Sequence, residues 1–206
     1  MDYELETREK IIEVAVDQFT RLGVKYVTMD DIARMGGVSK KTIYQEFRDK
    51  GDLVYEAFSQ ALKEDKQVFL RLVEEEPCPI KHFVKMSSYI RERFSQINPL
   101  VLGEIQRYYP KSWALYEDFK ENCAVKGILD ILKRGQKEGF FRPELNMEIL
   151  ANMRMEQLSD TFDPLKFPPS KFNILEVQVS LLDHFIHGVL TEKGRELFYQ
   201  QINNQD

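Results

Sequence analysis

Only two cysteines, Cys78 and Cys123, occur in the chain of 206 residues. No disulfide framework can be built from them, and two reduced thiols without metal-ligand spacing are the simpler reading. Histidine is almost as scarce, with three in all. His184 and His187 stand beside Asp183 on one helical stretch, an arrangement with at most three ligands at poor angles. His82 stands alone, so no metal site is expected. Long apolar runs are missing: nothing approaches the roughly 20 residues of a membrane-spanning helix. The opening Met-Asp-Tyr-Glu-Leu-Glu is acidic without an apolar stretch, which is not the pattern of a secretory signal. A cytoplasmic protein is expected. Strand signals are nearly absent, with no long period-2 alternation and no Asn-Gly or Asp-Gly hairpin turn. Catalytic signatures are lacking too: no Gly-rich phosphate loop, no Gly-x-Ser-x-Gly, no His-Glu-x-x-His. Neither an enzyme nor a bound cofactor is expected.

What is present is helical periodicity. Hydrophobic residues make up 43% of the chain and charged residues 31%, a balance that supports a buried core rather than disorder. Ile12, Ala15, Phe19 and Leu22 share one face, and Gly23 follows as a C-cap residue can. Thr28 precedes a short helix over Asp30 to Met35, with acids in its first turn. Gly36-Gly37 breaks it, and Ser39 caps a second short helix over Lys40 to Phe47. Asp49-Lys50-Gly51 opens a longer helix reaching about Val73, which Pro77 and Pro79 end. Further helices are expected at about 80–96, 98–107, 111–137, 147–163 and 171–190, with a final short piece over Lys193 to Ile202. Asp163 to Pro169 must be a loop. The expectation is an all-α chain: a three-helix head at residues 1–50 and a larger helical domain at 51–206.

The stretch from Thr28 to Gly51, TMDDIARMGGVSKKTIYQEFRDKG, has the physical pattern of a helix-turn-helix. Ala33 is small enough for a close helix crossing, and Gly37 suits a turn with positive φ. Ile32, Val38, Ile43 and Phe47 are spaced to point back into a small core. Lys40, Lys41, Thr42, Tyr44 and Gln45 are left outward, donors and acceptors suited to phosphates and base edges in a major groove. Ser39 leaves the helix N-terminus facing outward, where it favours a phosphate. The whole chain carries a net charge of −5, so it is no uniformly basic coat. Residues 20–50 nevertheless hold seven Lys/Arg against four acids, a local positive patch.

This pattern resembles the TetR family of bacterial transcriptional regulators. The matching residues run over about 6–60: Ile11 to Leu22, Gly23, Val27-Thr28, Ile32-Ala33, Gly37-Val38-Ser39, Thr42-Ile43-Tyr44, Phe47, Lys50 and Leu53. Gly36 departs from it, since family members often carry alanine there. Downstream, Gly139-Phe140-Phe141-Arg142 with Leu145-Asn146, and His187 to Thr191, are also similar to family features. The resemblance implies a homodimer in which the helices at about 147–163 and 171–190 pair with their symmetry mates. Leu150, Met153, Leu158, Phe162, Leu181, Phe185 and Val189 would then be interface residues. Two-fold symmetry implies a pseudo-palindromic operator of double-stranded DNA. Carried over by position, Thr28, Tyr44 and Lys50 would hold phosphates. Lys40, Lys41, Thr42 and Gln45 would face the groove, with Lys41 or Gln45 reading base edges.

Beyond the head, aromatics recur at helical spacing. Most are expected to pack the core, but tyrosine and tryptophan carry polar atoms that want partners when buried. Met86, Tyr89, Tyr108, Tyr109, Trp113 and Tyr116 are therefore candidates to line a pocket for a small-molecule effector. An acidic, aromatic-rich body favours an apolar or aromatic effector, or a cationic one, over a strongly anionic one. The chain so read is a ligand-responsive regulator, most simply a repressor. The alternative is a helical module that binds a small molecule or a protein without specific DNA binding.

Overall fold

The computed structural model describes residues 2–203, with side chains from residue 6 to 202. Residue 1 and residues 204–206, the ends of the two domain spans read from the sequence, lie outside the described residues. Among the described residues all regular elements are helices, and the only strand-like feature is an isolated bridge between Phe141 and Leu190. The chain forms two compact units, Met1–Asp65 with Gln96–Glu117, and Lys66–Ser95 with Asp118–Asp206.

The first unit is built on α1 (Asp2–Leu22), α2 (Met29–Gly36) and α3 (Lys40–Glu46). The first part of α4 (Lys50–Glu75), α6 (Val101–Tyr108) and most of α7 (Pro110–Phe119) complete it. Ile11, Ala15 and Phe19 repeat every four residues on α1 and are buried. Gly23, at φ +84°, ends that helix. Ile32, Ile43, Phe47 and Leu53 are fully buried beneath the helix-turn-helix, whereas Val38 stays half-exposed at its turn. The helix over 98–107 begins later than periodicity suggests, at Val101. Asn98 holds the chain in a turn there, its Oδ1 accepting the Leu100 N–H at 2.9 Å.

The second unit contains the remainder of α4, all but the last residue of α5 (Pro79–Gln96), and α8 (Val125–Lys137), α9 (Met147–Asp160), α10 (Ile174–Val189) and α11 (Glu192–Asn203). Residues Lys120–Ala124, at the head of α8, form a π-helical segment. The periodicity over 111–137 shows a helix there but does not distinguish i→i+4 from i→i+5 bonding. Asn146 and Asn173 cap α9 and α10 with their side-chain oxygens, which is why α10 starts at 174 rather than 171. Aromatic rings form the core: Phe83 packs edge-on to Phe141 at 5.6 Å, and Phe94 lies 5.4 Å from Phe162. The segment around Phe140 and Phe141 pairs with the chain leaving α10, through Arg142 N–H to Val189 O and Thr191 N–H to Phe140 O, both 2.9 Å.

Candidate nucleic-acid interface

Local chemistry sets the geometry of the head. Thr28 and Asp31 form a capping box at the start of α2. Thr28 Oγ1 accepts the Asp31 N–H at 3.1 Å, while Asp31 Oδ2 accepts the Thr28 N–H at 3.1 Å and the Thr28 hydroxyl at 2.6 Å. These bonds from Thr28, more than the nearby Arg34, hold the Asp31 carboxyl below its ordinary pKa. At the other end of α2, Gly37 adopts φ +65°. Its N–H reaches Arg34 O and the Val38 N–H reaches Ala33 O at 3.0 Å, which closes the helix and turns the chain into α3. Ser39 Oγ accepts the Thr42 N–H at 3.0 Å and lies 2.8 Å from Thr42 Oγ1. The two helices are thus locked by their own caps, with Ile43 and Phe47 anchoring α3 from below.

The outward face of α3 then divides. Lys41, Tyr44 and Gln45 are exposed and make no hydrogen bond or ion pair among the described residues, with Tyr44 exposed to 47%. Lys40 is exposed but paired with Asp30 at 2.8 Å, a bond that raises its pKa. Thr28 and Ser39 use their hydroxyls in capping, and the Thr42 hydroxyl is paired with that of Ser39. Lys50 departs furthest from expectation. Instead of extending outward, its ammonium donates to Val24 O at 2.5 Å and to Lys25 O at 3.4 Å. The burial this entails pushes its pKa down, and the nearby Glu104 partly opposes that shift. Glu104, on α6, accepts the Lys25 N–H at 2.9 Å, and the Asn98 N–H reaches Thr20 O at 2.6 Å. Lys50 and Glu104 therefore fasten the turn between α1 and α2 from two sides. Neither this role nor the Asp30 pairing is readable from motif spacing, since both join residues distant in the chain.

The other candidate residues separate as well. Tyr116 and Met86 are buried, Tyr89, Tyr109 and Trp113 are half-buried, and Tyr108 is exposed. Trp113 donates its indole N–H to Glu117 at 3.0 Å and stacks on Tyr116 at 4.8 Å, so its polar atom is satisfied locally. An open depression in the second unit, lined by Arg91, Asn173, Leu175, Glu176, Val179 and Ser180, includes none of the six. Of the interface candidates, Phe162, Phe185 and Val189 are corrected. All three are buried in the chain's own core, where Phe162 packs on Phe94 and Phe185 on Phe83. A second copy cannot reach them. Leu150, Leu158 and Leu181 are half-exposed and Met153 is 40% exposed. Ile149, one turn before Met153 on the same face of α9, is 65% exposed and belongs with this group. Among the described residues no three His, Cys, Asp or Glu side chains gather as a metal site would require, and no helix is long and apolar enough to cross a membrane.

Comparison with known proteins bears on this head directly. The profile of the family described as bacterial regulatory proteins, tetR family, matches residues 11–57. The HTH-type transcriptional regulator YvaF of Bacillus subtilis is 26% identical over 168 residues, which is 81% of this chain and 87% of that protein. The HTH-type transcriptional repressor KstR2 of Mycobacterium tuberculosis is 24% identical over 147 residues, 69% of this chain and 73% of its own length. Among solved structures, a TetR-family regulator from Agrobacterium tumefaciens superposes with a TM-score of 0.73 at 16% identity, over 91% of this chain and all of that one. The capped helix-turn-helix falls wholly inside the matched segment, and the chain belongs to the TetR family of transcriptional regulators.

Proposed function

We propose that this regulator acts as a homodimeric repressor, holding a pseudo-palindromic operator through α3 and releasing it when a small molecule binds. In this reading residues 1–50 are the reading head and 51–206 the regulatory and dimerisation domain. The observation that carries it is the face of α3. Lys41, Tyr44 and Gln45 stand exposed and unpaired on a helix that caps and core packing hold still. Polar side chains without partners, carried on a rigid helix, are what a base-reading surface needs. Tyr44 would hold a phosphate, Lys41 or Gln45 would meet base edges, and Lys40 would reach DNA by giving up Asp30. Thr28, Ser39, Thr42 and Lys50 support the head rather than the contact. A module that had abandoned DNA would have no use for such a surface. The effector must prefer one of two spacings of the paired heads, since only differential affinity shifts such an equilibrium. An effector with an apolar or aromatic body suits the ring-rich second unit.

Selection of bound duplexes from a random pool, at fixed moderate salt, tests the reading. Enrichment of a two-fold pattern with half-sites about one helical turn apart, roughly 10 bp, is expected. Weak, salt-sensitive binding without enrichment would overturn it.

A further inference from the structure

We infer that Arg154 is the point at which the second unit recognises the carboxylate of an acidic small molecule. The inference rests on the ligand-responsive reading only for what binding then does to DNA. Arg154 projects from α9 into the core and is 4% exposed. One of its nitrogens, Nη2, meets Gln178 Oε1 at 3.3 Å, and Nη1 is buried without any partner. Gln178 is fully buried and its amide orientation is set: Nε2 donates to Thr161 Oγ1 at 2.6 Å and to Leu158 O at 3.1 Å. The guanidinium thus faces one neutral acceptor and no carboxylate. Burial alone lowers its pKa, to about 10, which leaves it protonated at neutral pH. One turn along α9, Gln157 Oε1 is also buried and unpartnered.

A cation in the core with no counter-ion is costly, by several kcal/mol even after relaxation, and an apolar residue of similar size would spare that cost. A second copy docking on the surface cannot supply the missing acid, because Arg154 is enclosed by its own chain; a molecule small enough to enter between α9 and α10, where Arg154 meets Gln178, can. The planar fork has donors left for two oxygens of one carboxylate. No second cation acts on it, so a monoanion matches and a dianionic phosphate does not. The acidic average of residues 51–206 argued against an anionic effector. That average describes the surface, whereas Arg154, the charged side chain that is buried as a whole among the described residues of this unit, is positive.

The test is thermal unfolding of the full-length protein in sodium acetate, benzoate and decanoate. Each salt is set against sodium chloride at equal ionic strength, with decan-1-ol as the uncharged match for decanoate. At least one carboxylate should raise the wild-type Tm saturably, and the alcohol should not. Arg154→Met should lose at least about tenfold in apparent affinity, as removal of a buried charge partner does. Without carboxylate, its Tm should equal or exceed that of the wild type. Arg154→Lys keeps the charge but loses the fork, and should bind with intermediate strength. The inference is overturned if no carboxylate outdoes chloride, if decan-1-ol matches decanoate, or if Arg154→Met shifts as the wild type does. It also fails if Arg154→Met melts far below the wild type while Arg154→Lys does not. The readout contains no DNA, so failure here leaves the operator reading standing, and failed operator selection leaves this one.

Discussion

Lys40, Lys41 and Lys50 are alike by charge and lie within eleven positions, yet the folded head gives each a different task. Lys41 is free, Lys40 is held by Asp30, and Lys50 is a strut under the α1–α2 turn. Removing the strut leaves two carbonyls short of a donor, so Lys50→Met should destabilise the protein by roughly 1–3 kcal/mol. Lys41→Ala should leave the melting temperature unchanged and weaken operator binding instead. Thermal melts and DNA titrations of the two variants, run side by side, check that division. If Lys50→Met melts normally and only DNA binding suffers, the strut is wrong. The capping box makes a second prediction at this scale. Asp31 titrates below its ordinary value of 3.8 in the folded chain, chiefly because of the Thr28 hydroxyl. A carboxyl with a lowered folded pKa contributes stability above 3.8 and loses it as pH falls through the folded value. The stability gap between wild type and Asp31→Asn should therefore be widest at neutral pH and close in strong acid. Thr28→Ala should cost about 1 kcal/mol at neutral pH.

Helix α8 carries two glycines whose surroundings differ completely. A Cβ on Gly135 would sit 2.1 Å from the Phe141 ring, while one on Gly127 would meet nothing within 4 Å. Phe141 is fully buried and fixed by its neighbours, so it has nowhere to go. Gly135→Ala should destabilise by about 1–3 kcal/mol, as overpacking does. Gly127→Ala should stabilise by roughly 0.5–1 kcal/mol through helix propensity. Denaturant melts of the pair settle the contrast; equal effects would mean that the Phe140–Phe141 segment yields. Elements are also where the sequence was most legible. Gly23, Thr28, Gly37 and Ser39 act within four residues of themselves, so their caps could be read directly. Trp113 finding Glu117, or Lys50 finding Val24, depends on where the chain returns, and no local pattern holds that information. The π segment at Lys120–Ala124 was invisible for a third reason: periodicity over a few residues does not report bonding register.

For the whole molecule, the proposed dimer requires a face of the second unit that a second copy can reach. Helix α10 is apolar on more than one side, so its periodicity could not separate residues facing its own core from residues facing a partner. Burial separates them. Phe162, Phe185 and Val189 are internal, whereas Ile149 and Met153 present an apolar stripe to solvent on α9. On α10, Ser180, His184 and Gly188 repeat every four residues on an exposed face, two of them small enough for close helix approach. If two copies join here, a charge on the stripe must be desolvated without a partner, which an interface tolerates poorly. The double variant Ile149→Asp, Met153→Asp should sediment as a monomer while keeping its helical circular dichroism. Its operator affinity should fall by at least about a hundredfold, because two heads bound to one duplex act at high effective concentration and a single head does not. Leu165→Asp, at a loop residue 91% exposed, should change neither property. Phe185→Ala should instead unfold the chain, at a cost of about 3–5 kcal/mol. A double variant that remains dimeric would move the interface off α9. One that turns monomeric yet binds the full operator as before would separate dimerisation from DNA reading.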